Sequence, residues 1–236
     1  QASFTGQYEV RYSSGNSAYA GASWTAKTFN WSATDLPVPA TATVVSARLY
    51  QPYSYNKMAA DPAYTMTFNG NTVTPVATYK DRKSYGGTAG YDYPYGLSVY
   101  DVTPTFNTTG NTLTVTPEAG NNYALYGSYL VIVYRDNSVP LKTIWINDGF
   151  DMLASKSTYA TTSAEATAYA TFSGVSTTSL KNATAVAVLA SAGDAGRSKF
   201  LFNGNEYTGF WADYQGTPQI GFSKYYVTSA VQSGAN

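Results

Sequence analysis

The chain has no cysteine and no histidine. Without them it cannot build a Ser-His-Asp or Cys-His site, a zinc site of the usual ligands, a haem held through His or Cys, or an iron–sulfur cluster. What stays open is chemistry run by paired carboxylates, by lysine, or by a metal held on oxygen alone. Charge is scarce as well: 12% of the residues carry it, about half the ~25% of an ordinary soluble domain. The 14 basic and 14 acidic residues cancel, which removes the long-range field that a nucleic-acid or anionic-lipid binder uses to gather its partner. The longest strongly apolar run, residues 129–134, is far too short to span a bilayer. These absences point away from nucleic acid, from membrane insertion and from most enzyme classes.

What is abundant is aromatic: 16% of the chain, including 23 Tyr. Apolar and polar residues alternate with a period of two, as in Tyr8, Val10 and Tyr12 against Gln7, Glu9 and Arg11, the pattern of a strand with one buried face. Further strands are expected over 22–31, 43–51, 63–68, 96–102, 112–116, 126–135, 143–146, 164–172, 184–190, 199–202, 219–226 and 227–231. No stretch shows a long 3.6-residue period. Asn69-Gly70-Asn71, Asn203-Gly204-Asn205, Gly86-Gly87 and Gly120-Asn121-Asn122 supply the positive φ that tight hairpins require. The expected fold is all-β, an antiparallel sandwich.

Two blocks recur in the same order. Phe68-Asn69-Gly70-Asn71 with Thr74 returns as Phe202-Asn203-Gly204-Asn205 with Thr208. Gly96, Ser98, Tyr100, Val102 and Thr103 return as Gly221, Ser223, Tyr225, Val227 and Thr228. Residues 42–49 resemble 183–189 as the strand before them. The expectation is two homologous lobes, 1–138 and 139–236, the first with an insertion in the Tyr/Gly-rich stretch 83–95. The plainer reading is a coincidence of Asn-Gly turns in a biased composition. In the repeat reading the second copy stops at Asn236, before the counterpart of the apolar strand 129–134, and so exposes unpaired backbone that natural proteins cover. Three fillers stand: the N-terminal strand with Tyr8, Val10 and Tyr12, a strand of a neighbouring subunit, or a native continuation past Asn236. The neighbour option makes a head-to-tail polymer.

Location is read from weaker signs. Asn30-Trp31-Ser32, Asn107-Thr108-Thr109 and Asn182-Ala183-Thr184 are glycosylation acceptors in an exported chain. The opening Gln1-Ala2-Ser3, without an initiator Met, reads as a mature end left by removal of a leader.

For chemistry, Asn147, Asp148 and Asp151 place three oxygen-bearing side chains around Gly149, which is how calcium is collected. The competing reading, favoured here, is an Asx-turn joining the lobes. Asp194 shares the ambiguity. A glycosidase pair of Asp148 with Asp213 or Glu206 is available by arithmetic only. Trp24, Trp31, Trp145, Trp211 and the clusters Tyr50/Tyr53/Tyr55, Tyr91/Tyr93/Tyr95 and Tyr225/Tyr226 suit either sugar stacking or subunit contacts. Core packing is the default for the Trp residues. The alternating Tyr91, Tyr93 and Tyr95 of a Gly-bounded insertion are expected at an interface.

The run Val45-Ser46-Ala47-Arg48-Leu49-Tyr50, then Tyr100-Asp101-Val102-Thr103, then Gly110-Asn111 and a closing apolar strand resembles the DNRLRE-type jelly-roll domains of secreted surface proteins. More closely, Tyr100-Asp101-Val102-Thr103, residues 129–134, Ile144-Trp145-Ile146-Asn147-Asp148-Gly149-Phe150-Asp151-Met152-Leu153 and Leu201-Phe202-Asn203-Gly204 together resemble a domain of unknown function common in cell-surface proteins of methanogenic archaea. That resemblance implies an extracellular β-rich module of an archaeal envelope and carries over no catalytic residue. The leading expectation is therefore a structural, non-enzymatic homo-oligomer or polymer of a sheath, surface layer or filament, without a cofactor apart from the calcium reading. The alternative is a carbohydrate-binding or adhesive module with a glycan partner.

Overall fold

The computed structural model describes residues 1–83, 92–155, 161–191, 197–208 and 218–236. The chain divides into two compact units, Gln1–Thr167 and Ala168–Asn236. It is all-β, with antiparallel sheets and two short 3-10 turns among the described residues.

The first unit runs β1 (Ala2–Gly6), β2 (Tyr8–Ser13), β3 (Lys27–Ser32), β4 (Thr43–Ser54), β5 (Thr65–Phe68), β6 (Asn71–Val73), β7 (Ala77–Asp81), β8 (Tyr95–Asp101), β9 (Gly110–Thr116), β10 (Ala124–Leu125), β11 (Tyr129–Arg135) and β12 (Lys142–Ile146). One sheet has the order β2-β11-β4-β8-β7, with β10 also pairing β4, and a second has the order β3-β9-β5-β6. Side chains of both sheets meet in one buried cluster, among them Phe29 and Trp31 of β3, Leu49 of β4, Phe68 of β5, Leu113 of β9 and Leu130 and Ile132 of β11. The arrangement is sandwich-like, and the alternation along each strand is what supplies its inner face.

Local chemistry explains two details of β4. Pro52, which has no N–H, falls where β11 ends opposite Tyr50 and β10 begins opposite Tyr53, so no ladder bond is lost there. Gly96 of β8 lies opposite Tyr53, and a Cβ at that position would lie 2.5 Å from the Tyr53 hydroxyl.

The expected break at 138 lies inside the first unit, because β12 returns to pair β1 from Ala2↔Ile146 to Gly6↔Lys142. The strand expected over 164–172 is corrected: Thr162 Oγ1 accepts from Glu165 N at 3.2 Å while Glu165 Oε2 accepts from Thr162 N at 2.8 Å. This reciprocal Thr-x-x-Glu box bends the backbone into a turn. Residues 227–231 form a 3-10 turn at Thr228–Ala230 in place of a strand.

The second unit contains β13 (Thr184–Ala190), β14 (Phe200–Phe202), β15 (Asn205–Tyr207) and β16 (Ile220–Tyr226). β13 pairs β16 and β14 pairs β15. Ala187, Leu189, Phe200, Tyr207 and Tyr225 pack together and stay partly exposed.

Candidate functional site

The same bracket of hydrogen bonds is drawn once in each unit. In the first, Asn69 and Gly70 turn the β5–β6 hairpin with φ of 48° and 80°; in the second, Asn203 and Gly204 turn β14–β15 with φ of 47° and 79°. Asn69 Nδ2 donates to Thr105 O at 2.7 Å and to Asn111 Oδ1 at 2.9 Å. Asn203 Nδ2 donates to Ala230 O and to Asn236 Oδ1, both at 2.8 Å. Asn111 in turn closes on Asn107, and Asn236 closes on Gln232, each through a backbone amide and a backbone carbonyl.

A second tie matches too. Val102 N donates to Ala47 O and Ala47 N to Thr103 Oγ1, at 2.9 and 2.8 Å. Val227 N donates to Ala183 O and Ala183 N to Thr228 Oγ1, both at 2.9 Å. Strand register follows: Arg48↔Asp101 and Tyr53↔Gly96 in β4·β8 stand where Thr184↔Tyr226 and Leu189↔Gly221 stand in β13·β16.

The surroundings of the two differ. β4 is flanked by β8 and β11, with Arg48↔Val131 and Tyr50↔Tyr129 on the β11 side. Among the described strands β13 pairs with β16 alone. Ala183 O and Ser191 N both bond toward β16 and its flanks, so in an antiparallel ladder the even residues Thr184, Val186, Val188 and Ala190 turn their N–H and C=O to the other edge. Val186 is 39% exposed, whereas Tyr50, in the matching place on β4, is 3% exposed.

The strand expected to fill that place is paired within the first unit. β2, with Tyr8, Val10 and Tyr12, pairs β11 from Tyr8↔Arg135 to Ser13↔Leu130. Its outer edge is capped by its own charges: Val10 N donates to Glu9 Oε1 at 3.1 Å and Arg11 Nη1 donates to Val10 O at 3.0 Å. Lys142 Nζ holds the other Glu9 oxygen at 2.8 Å. Burial raises the Glu9 pKa, but the Lys142 hydrogen bond, the Val10 amide and the nearby cations outweigh it and hold the carboxyl below its usual range.

The residues singled out for calcium face cations of the chain itself. Asp148, with 4% of its side chain exposed, accepts from Arg48 Nη1 at 2.5 Å and from the Tyr50 hydroxyl at 2.6 Å. Asp151 accepts from Lys83 Nζ at 2.5 Å, and Lys83 also reaches Asp81 at 2.6 Å, which accepts the Met152 amide at 2.9 Å. Asn147 lies partly buried at the head of this strap. Burial, and then the Asp148 carboxylate, push the Tyr50 hydroxyl far above its ordinary value, so it stays a donor. The segment is a strap pinned to β4 and β7 by ion pairs. Among the described residues no group of three or more acidic side chains comes together. Glu206 pairs with Lys199 on an exposed hairpin.

Of the aromatics, Trp24 and Trp31 are 5% and 1% exposed, and Trp31 Nε1 donates to Ser13 O. They are core. Tyr95, expected at an interface, is 8% exposed because it opens β8 and packs its ring 5.0 Å from Tyr55; Tyr93 lies beside Lys57. Tyr91, Asp194, Trp211 and Asp213 lie outside the described residues. The three sequon asparagines are exposed. Asn107 Oδ1 already accepts from the Thr109 amide and hydroxyl, and Asn30 Oδ1 from Thr112.

Sequence reasoning missed Asn111 and Asn236 as the closing members of the bracket. The signal was present: each lies nine positions past the Val of a Val-Thr pair.

Over its whole length, residues 1–236, the chain belongs to the family described as protein of unknown function (DUF3344). No curated protein matches it.

Proposed function

We propose that this protein is a structural, self-assembling component of an extracellular cell envelope, a subunit of a sheath, surface layer or filament that associates through strand edges. The observation that carries the reading is β13. It is seven residues long without a charged side chain, and among the described strands it has one partner where its counterpart β4 has neighbours on both sides. An edge of that kind is a template for pairing with another chain. Val186, Leu201 and Tyr226 of the same unit are exposed, at 39%, 53% and 74%, and such apolar surface is what association covers. Low charge supports the reading, since few charges need desolvation between subunits. No helix among the described residues is long and apolar enough to cross a membrane. The burial of Trp24 and Trp31 removes two of the four tryptophans from any sugar-stacking face. Negative-stain microscopy of the purified chain tests the proposal: ordered polymers or sheets are expected. Dispersed single particles with saturable polysaccharide binding would overturn it in favour of a glycan-binding module.

A further inference from the structure

Three edge strands of the first unit are guarded. β2 caps its outer edge with Glu9 and Arg11, β7 carries Lys80 and Asp81 with Lys80 bound to Asp61, and β3 has its Asn30 amide and carbonyl taken by Asn16. Charged or covered edges are the usual protection against strand pairing between molecules. β13 has none of these devices. At seven residues it is as long as β16, the other edge of the same pair, but β16 carries Lys224 whereas β13, Thr-Ala-Val-Ala-Val-Leu-Ala, carries no charge.

We infer that the partner of β13 is β13 of a second copy of this chain, paired antiparallel about a two-fold axis at Ala187. This rests on the self-association reading and names one of its contacts: a two-fold pair closes on itself, so growth into a polymer takes a second contact, for which Leu201 and Tyr226 of the same unit are exposed. One register uses every outward-turned backbone group. Thr184 meets the partner's Ala190 and Val186 meets the partner's Val188 as hydrogen-bonded pairs, and by symmetry the reverse. In that register the side chains are complementary. Val186 and the partner's Val188 join apolar surfaces on one face, while Ala185 opposes the partner's Leu189 on the other, small against large. The two alanines at position 187 face each other on the axis as a non-hydrogen-bonded pair. No charge opposes the contact, because the strand has none and the chain's formal net charge is +0. The position is also the one that an apolar strand already fills in the first unit, where β11 lies on the matching edge of β4.

The chain has no cysteine, so a single introduced thiol is a clean probe. Cα atoms of a non-hydrogen-bonded antiparallel pair lie about 4.5 Å apart, within disulfide reach. The full-length Ala187→Cys chain should form a covalent dimer under mild oxidation. Val186→Lys, at an already exposed side chain, should weaken dimerisation in sedimentation velocity at least tenfold while leaving the far-UV spectrum unchanged. A dimer that cross-links through position 187 and grows no further upholds this contact and overturns the envelope-assembly reading. Polymers in which Ala187→Cys fails to cross-link and Val186→Lys assembles normally overturn this contact and leave that reading standing. A wild-type chain that stays monomeric at high concentration overturns both.

Discussion

Asn69 and Asn203 make the same turn, donate to the same kinds of acceptor and sit beside the same Val-Thr tie, yet one does so inside a full core and the other does not. Phe68 before the first turn is 0% exposed; Phe202 before the second is half-buried. Leu49 is 0% exposed on β4, while Ala185 stands in its place on β13. The difference separates two causes that are usually confounded. The bracket is set locally, by the positive φ of an Asn-Gly pair and the reach of an Asn side chain, and it forms whether or not a core surrounds it. Stability is set by how much apolar surface the neighbouring strands then cover.

The comparison breaks most sharply at the phenylalanines. Phe68→Ala should destabilise the first unit by about 3–5 kcal/mol, through lost burial and the cavity left behind. Phe202→Ala should cost the second unit no more than about 1–2 kcal/mol, in proportion to its partial burial. Denaturant unfolding followed by tryptophan fluorescence and by amide exchange reads the two units separately. Equal losses would mean that the second unit has a core as complete as the first. Next comes Asn111→Ala, which strips three hydrogen bonds from a side chain 5% exposed and should cost about 1–3 kcal/mol. Asn236, less buried in the same role, should cost less on the same substitution.

The Val-Thr tie should show no such asymmetry. Thr103→Val and Thr228→Val each remove one hydroxyl that accepts an alanine amide at nearly the same distance, so each should cost its own unit about 1 kcal/mol. A difference of more than about twofold in midpoint shift would show that the two ties are not equivalent.

The smallest effect concerns the guarded edge. The folded state holds the Glu9 carboxyl below its ordinary value of 4.5. Its contribution is therefore complete above that value and is lost as pH falls through the lowered one. Thermal melts should show a loss below about pH 4.5 that Glu9→Gln makes smaller, the rest coming from other lowered carboxyls such as Asp81 and Asp136. Dimerisation through uncharged β13 should not change over that range.

Much of this was legible in the residues. The hairpins at Asn69-Gly70 and Asn203-Gly204 could be read because positive φ at two successive positions admits few side chains. The bounds of β13 agree with its alternation to the residue. What could not be read depends on partners distant in sequence. The alternation of Tyr8, Val10 and Tyr12 announces a strand, but nothing local says that β11 is its neighbour. Asp148 and Asp151 present the oxygens of a calcium loop, and only the fold brings Arg48 and Lys83 to them. β7 was hidden because Lys80 and Asp81 mask its period. The alternation over 164–172 misled because the Thr162–Glu165 box competes for the same backbone.

The central claim is that one strand motif occurs twice, closed on both sides in β4 and, among the described strands, open on one side in β13. Residue-resolved hydrogen exchange in dilute solution addresses it directly. The amides of Ala185, Ala187 and Leu189 should be protected and those of Val186, Val188 and Ala190 fast. On β4 both sets, such as Leu49 and Tyr50, should be slow. Raising the concentration should slow the fast set. Protection of Val186 and Val188 in the dilute monomer, equal to that of their neighbours, would contradict the account.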